Sequence, residues 1–177
     1  MKLLLYKFYF SFIIIVLAGG CSVSSDISSG QKLIKEGDIY FSKGEIDKAI
    51  GLWTEGLKYK QRAELYEKIV MAYIMKNQIP DAEKWVLEGL TYFPDNVNLF
   101  FDLALISFHN NDFKKARMAI DMVLRKNEYY RNAHLLKGMM YEKENNLSAA
   151  KREYINEVNI NPGSTEAWKK LRELRDE

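Results

Sequence analysis

Apolar residues are arranged along this chain in two ways. Between Phe8 and Leu17 they run on with no charge among them, whereas after Gly30 they fall among polar neighbours at the three-and-four spacing that lays a stripe along a helix. The second pattern repeats. Ala49, Ala82, Ala116 and Ala150 stand 33, 34 and 34 residues apart, a period that marks a stack of like units. Five residues before each alanine lies Gly44, Asn77, Asn111 or Asn145, the residue types that best tolerate the left-handed conformation ending a helix. Three residues before each lies Ile46, Ile79, Phe113 or Leu147, apolar and placed to staple onto the turn of a following helix. Pro80 suits a first helical turn. The pattern therefore predicts four helix pairs, each broken at one place. After Pro162 and Gly163 a further helix is predicted, with Ser164 as its cap, Glu166 in its first turn, and Ala167, Trp168, Leu171 and Leu174 as an apolar stripe among charges. A polar-backed last helix of this kind closes the core of a solenoid.

The four units resemble the tetratricopeptide repeat (TPR), written W-x2-L-G-x2-Y in its first helix, then alanine, an aromatic, alanine and finally proline. The first copy has Gly37, Tyr40, Ala49, Trp53 and Gly56; the second has Val70, Tyr73, Ala82, Val86, Gly89 and Pro94, with Val70 where a small residue is usual. The third keeps Ala104, Ala116, Ile120 and Val123 but has Ser107 for the aromatic and Glu128 for the proline. The fourth has Gly138, Tyr141, Ala150, Tyr154 and Pro162, with Glu157 for the last small residue. The resemblance implies an all-α, right-handed TPR solenoid of about four helix-turn-helix repeats over residues 31–162, with a capping helix over 163–177.

Residues 1–20 have the order of a signal peptide: Lys2 and Lys7, the apolar stretch, then Ala18, Gly19 and Gly20 before Cys21, the single cysteine. The apolar run is shorter than the roughly 20 residues that span a bilayer. Leu17-Ala18-Gly19-Gly20-Cys21 resembles a bacterial lipobox, with Ala18 in the place where leucine is commonest and Leu17 one position further out. The resemblance implies cleavage by signal peptidase II before a lipidated Cys21. Two or three acyl chains, at about 0.8 kcal/mol per buried methylene, would anchor the chain to a membrane. An ordinary secretory cut would instead leave Cys21 as an unpaired thiol. Residues 21–30 are serine-rich without helical period and read as a flexible tether. Ser22 after the cysteine resembles an outer-membrane sorting signal, which implies a lipid-anchored protein of the bacterial envelope facing the periplasm.

Composition narrows the function without naming it. Hydrophobic residues make up 47% and charged residues 28%, with 3 prolines, which suits packed helices and excludes a disordered chain. The net charge of +2 includes Lys2 and Lys7, so the chain without its signal is close to neutral and has no electrostatic case for nucleic acid. His109 and His134 lie in different repeats, with no metal-ligand spacing, and read as surface or packing residues. No phosphate loop, nucleophile elbow or paired-cysteine site is present. Asp and Glu are interleaved with Lys and Arg as on solvated faces. The sequence thus points to no catalytic residue, no metal and no cofactor, and to a binding scaffold in place of an enzyme.

In TPR arrays the first helix of each unit lines the concave surface. The resemblance implies a lining of Ile34, Asp38 and Phe41; Glu67, Met71 and Ile74; Phe101, Leu105 and Phe108; and Leu135, Met139 and Glu142. Its apolar members, Phe41, Met71, Ile74, Phe101, Leu105, Phe108, Leu135 and Met139, form the expected partner-binding groove. The helix from Leu99 to Phe108 is apolar almost all round, so it is either buried on every side or faces an apolar groove. A groove with adaptable Met71 and Met139 fits a protein partner, a hydrophobic peptide or a lipid-like ligand. The lysine, asparagine and arginine with which chaperone-binding TPR domains clamp a carboxylate are replaced here by apolar or acidic residues. Two functions follow from the resemblance. One is a scaffold for outer-membrane-protein or pilus-secretin assembly; the other is an accessory lipoprotein holding a small hydrophobic ligand for periplasmic transport. Self-association into a homodimer has no sequence feature of its own.

Overall fold

The computed structural model describes residues 29–175. The signal segment, Cys21 and most of the tether lie outside the described residues. Among those described there are nine helices and no strand: α1 (29–42), α2 (Ile46–Tyr59), α3 (Ala63–Met75), α4 (Ile79–Tyr92), α5 (Val97–His109), α6 (Phe113–Lys126), α7 (Ala133–Lys143), α8 (Leu147–Ile160) and α9 (Thr165–Glu173). Ser29 and Gly30, placed above in the tether, are already helical, and Gly30 is buried. A Cβ on it would lie 2.8 Å from that of Tyr59, so contact with α2 draws these residues into the fold.

One turn recurs inside every helix pair. Gly44, Asn77, Asn111 and Asn145 have φ of 78°, 56°, 59° and 60°, the left-handed conformation expected of them. The amide of the following residue reaches back to the carbonyl of Tyr40, Tyr73, Ser107 or Tyr141 at 2.8–3.0 Å, satisfying carbonyls that the helix end would leave open. Ile46, Ile79, Phe113 and Leu147 are the first residues of the next helices. Side-chain caps complete several starts: Asn96, Asp112, Asn146 and Ser164 accept from the backbone N–H three residues on.

The described residues divide into two compact units, one up to Leu65 and one from Tyr66 onward. In the first, Gly37 lies under the Trp53 indole, where a Cβ would come within 2.6 Å of Nε1. The indole N–H donates to Asp38 at 3.0 Å, and the Phe41 ring lies 5.3 Å from that of Trp53. Asp38 is therefore occupied by its own helix pair.

In the second unit Tyr66 is buried against Gly89, where a Cβ would sit 3.0 Å from its ring. Trp85, Tyr92 and Phe93 have ring centres 5.9–6.3 Å from that of Tyr66. Burial, and then the charge of Glu88, push the Tyr66 phenol well above its ordinary range.

The residues that depart from the repeat pattern are matched in size. Sixteen residues separate Gly37 from Trp53, Val70 from Val86, Ala104 from Ile120 and Gly138 from Tyr154, and every one of these side chains or glycines is buried. Glycine lies under each of the two large aromatics, and the other two positions pair valine with valine and alanine with isoleucine, so the summed volume stays near constant. Val70 thus replaces the usual small residue because Val86 replaces the usual aromatic.

Glu157 follows a different logic. It is wholly buried, and its carboxylate accepts from the backbone N–H of Asn132 at 3.0 Å, of Leu135 at 3.4 Å, and from Asn161 Nδ2 at 3.4 Å. Asn132 precedes α7 with φ 67° and gives no side-chain cap, so Glu157 of α8 caps α7 from outside, at the end where the helix dipole favours an anion.

Candidate functional site

In the second unit α3, α5 and α7 are the first helices of successive pairs, and the one-period register sets Met71, Leu105 and Met139 at equivalent positions. Met71 is 45% exposed and Leu105 36%. Phe101, Ile74, Phe108, Leu135 and Met139 are half-buried, as is Phe41 in the first unit. None of the eight expected groove residues lies in the buried core. The fully apolar look of α5 resolves accordingly: Leu99, Leu103, Ala104, Ile106 and Ser107 are buried, while Phe101 and Leu105 stay on the open side.

Besides Phe41, two of these side chains have ring partners. Phe101 lies 5.0 Å from Tyr130, and Phe108 lies 5.8 Å from Phe113 across the α5–α6 turn. Glu142, expected on the partner face, accepts from Tyr154 Oη at 2.6 Å and Lys170 Nζ at 3.0 Å, which ties α7 to α8 and α9. Burial works against its charge, but these two donors hold its carboxyl below the usual range.

Beside the apolar row runs a polar one. Glu67 accepts from Asn96 Nδ2 at 3.0 Å and Asn98 Nδ2 at 3.1 Å, one on each oxygen, and Tyr130 donates its hydroxyl to Asn98 Oδ1 at 2.9 Å. Asp102 lies one residue past Phe101, partly buried. Burial, and then the charge of Glu67, push its carboxyl up to about 7. The same burial, with Asp102 and Glu67, raises the Tyr130 phenol. The reading of acidic residues as members of solvated faces is therefore corrected for Asp102, Glu153 and Glu157, because packing of neighbouring helices removes water from all three. Glu153 accepts from His134 Nδ1 at 2.7 Å, and His134 Nε2 lies 3.2 Å from the Glu128 carbonyl. Burial opposes the Glu153 charge, while His134 and Lys137 outweigh it and lower its pKa. Among the described residues no group of three metal-ligating side chains occurs, and no helix is long and apolar enough to cross a membrane.

A cavity of about 700 Å³ opens elsewhere in this unit, lined by Phe100 and Leu103 of α5, by Met118, Ala119, Met122 and Leu124 of α6, and by Lys115, Asp121, Arg125 and Lys137. Lys137 Nζ meets Asp121 at 2.8 Å on its rim. None of the expected groove residues lines it. No sequence signal marked this cavity, since its lining is drawn from three different helices, α5, α6 and α7.

No family model matches this chain, and no curated protein matches it. Solved structures do. A tetratricopeptide repeat protein from Parabacteroides merdae ATCC 43184 superposes with a TM-score of 0.72 at 16% identity over 84% of this chain, which spans 61% of that one. MamA protein gives 0.73 at 19% identity over 84% of this chain and 81% of its own. YrrB, described as a TPR protein with an unusual peptide-binding site, gives 0.70 at 12% identity over 89% and 87%. The fold of this chain is that of a TPR helical-repeat solenoid.

Proposed function

We propose that this chain is a scaffold that holds a protein partner on the first-helix face of its second unit and is tethered to a bacterial envelope membrane by acyl chains on Cys21. The observation that carries the reading is the open apolar row: Met71 and Leu105 stay exposed at equivalent positions while the backs of their helices are buried. An exposed apolar stripe on packed helices fits an extended or helical peptide, and the peptide-binding site in the description of YrrB supports the same use of the fold. The anchor rests on the lipobox resemblance, and outer-membrane residence on Ser22. Assembly of outer-membrane or secretion complexes is the process such an anchored scaffold would serve. The scaffold role needs no catalytic group.

A pull-down from detergent-solubilised membranes tests this reading, with the wild type beside Met71→Glu and Leu105→Glu. A glutamate forced against an apolar partner costs several kcal/mol, enough to abolish micromolar capture. Co-purifying barrel or secretin subunits, lost in both folded variants, support the scaffold; capture unchanged by either variant would place the partner elsewhere. Fatty-acid labelling of the wild type, absent from Cys21→Ala, tests the anchor. The α5–α6 cavity favours a second reading, an accessory lipoprotein that binds a hydrophobic ligand, since its volume lies in the range of small-molecule pockets. A small molecule extracted from the purified chain in place of protein subunits would support it.

A further inference from the structure

Resting on the first-helix face as the docking surface, we infer that its partner is an apolar peptide segment carrying an arginine, whose guanidinium sits between Glu67 and Asp102 against the Phe101–Tyr130 aromatic pair. Charge complementarity is the argument. Asn98, Phe101, Asp102 and Leu105 fall within one side of α5 by helical spacing, so the carboxylate and the apolar row face the same occupant. Glu67 is held by Asn96 and Asn98, one on each oxygen, and therefore keeps a fixed direction with lone pairs to spare. Asp102 has no hydrogen-bond donor and no cation against it among the described residues, and the charge that acts on it is the like charge of Glu67. Two like charges that act on each other in a partly dry site repel, and a cation beside both reverses the sign of that interaction. Phe101 and Tyr130, 5.0 Å apart, add an aromatic surface on which a guanidinium stacks better than an ammonium. The acidic pair then sets which peptide is chosen, and Met71 and Leu105 supply the apolar contact.

The probe is a fluorescein-labelled peptide, Ser-Leu-Leu-Arg-Leu-Leu-Ser-amide, with versions in which citrulline or glutamate replaces the arginine. Binding to the full chain in detergent micelles is read by fluorescence anisotropy, and circular dichroism checks that each variant is folded. Citrulline keeps the shape and most donors of arginine but lacks its charge. The arginine peptide is expected to bind at least about tenfold more tightly than the citrulline one, about 1.4 kcal/mol, and the glutamate peptide more weakly than either. Asp102→Asn and Glu67→Gln should erase the arginine preference, by weakening the arginine peptide more than the citrulline one, whereas Leu105→Ser should weaken all three peptides alike. Equal binding of arginine and citrulline peptides, with Leu105→Ser still harmful, would overturn the arginine inference and keep the docking face. No binding of any peptide, or binding indifferent to Leu105→Ser, would overturn both.

Discussion

The third helix pair, α5–α6, and the fourth, α7–α8, each remove a carboxylate from water, and they treat it in opposite ways. Glu157 in the fourth accepts three hydrogen bonds and caps α7, so its burial is offset within the fold. Asp102 in the third has no donor among the described residues, and its carboxyl is pushed up to about 7 by burial and Glu67. The fourth pair also ties further polar groups together, through Glu142, Tyr154 and Lys170 of α9 and through His134 and Glu153. The third leaves Ser107 Oγ buried without a partner. A buried acid with donors is explained by the fold; one without them works against the fold, and its use lies outside it.

The largest effect should come from breaking the satisfied acid. Glu157→Ala strips acceptors from two backbone N–H groups at the start of α7 and leaves a void, an expected loss of about 3 kcal/mol in urea unfolding. Glu157→Gln, which keeps an acceptor oxygen, should lose about 1 kcal/mol. A loss below about 1 kcal/mol for Glu157→Ala would mean that α7 does not depend on this cap.

Asp102 should respond in the other direction. Its folded pKa of about 7 lies above the ordinary 3.8, so the folded state binds the extra proton and the stability that goes with it. That stability is fully present below the ordinary pKa and is lost as pH rises through 7. Glu67 of α3 and Tyr130 of the turn before α7 are the titratable groups that face it. Asp102→Asn removes the loss, and with partial exposure discounting the full shift, the variant should exceed the wild type by about 2 kcal/mol at pH 8 and by almost nothing at pH 4. Thermal melts of both proteins at the two pH values measure the difference, in which the other titrating groups cancel. A variant no more stable at pH 8 would mean that Asp102 is satisfied after all.

This contrast was only partly legible in the sequence. The turns at Gly44, Asn77, Asn111 and Asn145 could be read because a left-handed residue is a local requirement and the period marks its place. Asn132, equally left-handed at φ 67°, falls outside that register, and its helix is capped from 25 residues away by Glu157. Glu157 itself stood out only as a departure. Neither its donors nor the desolvation of Asp102 can be read from spacing, because each depends on which neighbouring helix covers the side chain. The apolar row was legible as a set of positions; the aromatic pairing of Phe101 with Tyr130 and the tie of Glu142 to α9 were not, since both partners lie in other elements.

The size matching between helices separates the two pairs at a smaller scale. A Cβ on Gly138 would lie 2.4 Å from Tyr154 Cε1, and Tyr154 cannot move away because its hydroxyl is held by Glu142. Gly138→Ala should therefore cost about 1 to 2 kcal/mol, whereas the third pair has alanine in that place with Ile120 opposite. Combining Gly138→Ala with Tyr154→Ile moves the third pair's solution into the fourth. Its loss should fall short of the sum of the two single losses by about 1 kcal/mol in a double-mutant cycle. Additive losses would show that the pairing of sizes is not a contact.

The smallest effect concerns the other unmet polar group of the third pair. Ser107 stands where the other units have Tyr40, Tyr73 and Tyr141, and it is 1% exposed. Its carbonyl takes the N–H of Asp112 at 2.9 Å in the turn, so the backbone there is satisfied and only the hydroxyl is left without a partner. A hydroxyl taken from water with no hydrogen bond in return costs about 1 to 3 kcal/mol on mutational scales. Alanine removes that cost, gives up one oxygen's worth of packing, and has the higher helix propensity. These terms oppose one another, so Ser107→Ala should raise stability by no more than about 1 kcal/mol, read as a small upward shift of the urea midpoint with an unchanged slope. A drop of more than about 0.5 kcal/mol would show that the hydroxyl is bonded in solution. The third pair would then be as well satisfied as the fourth at this position, and Asp102 would be left as its single unmet polar group.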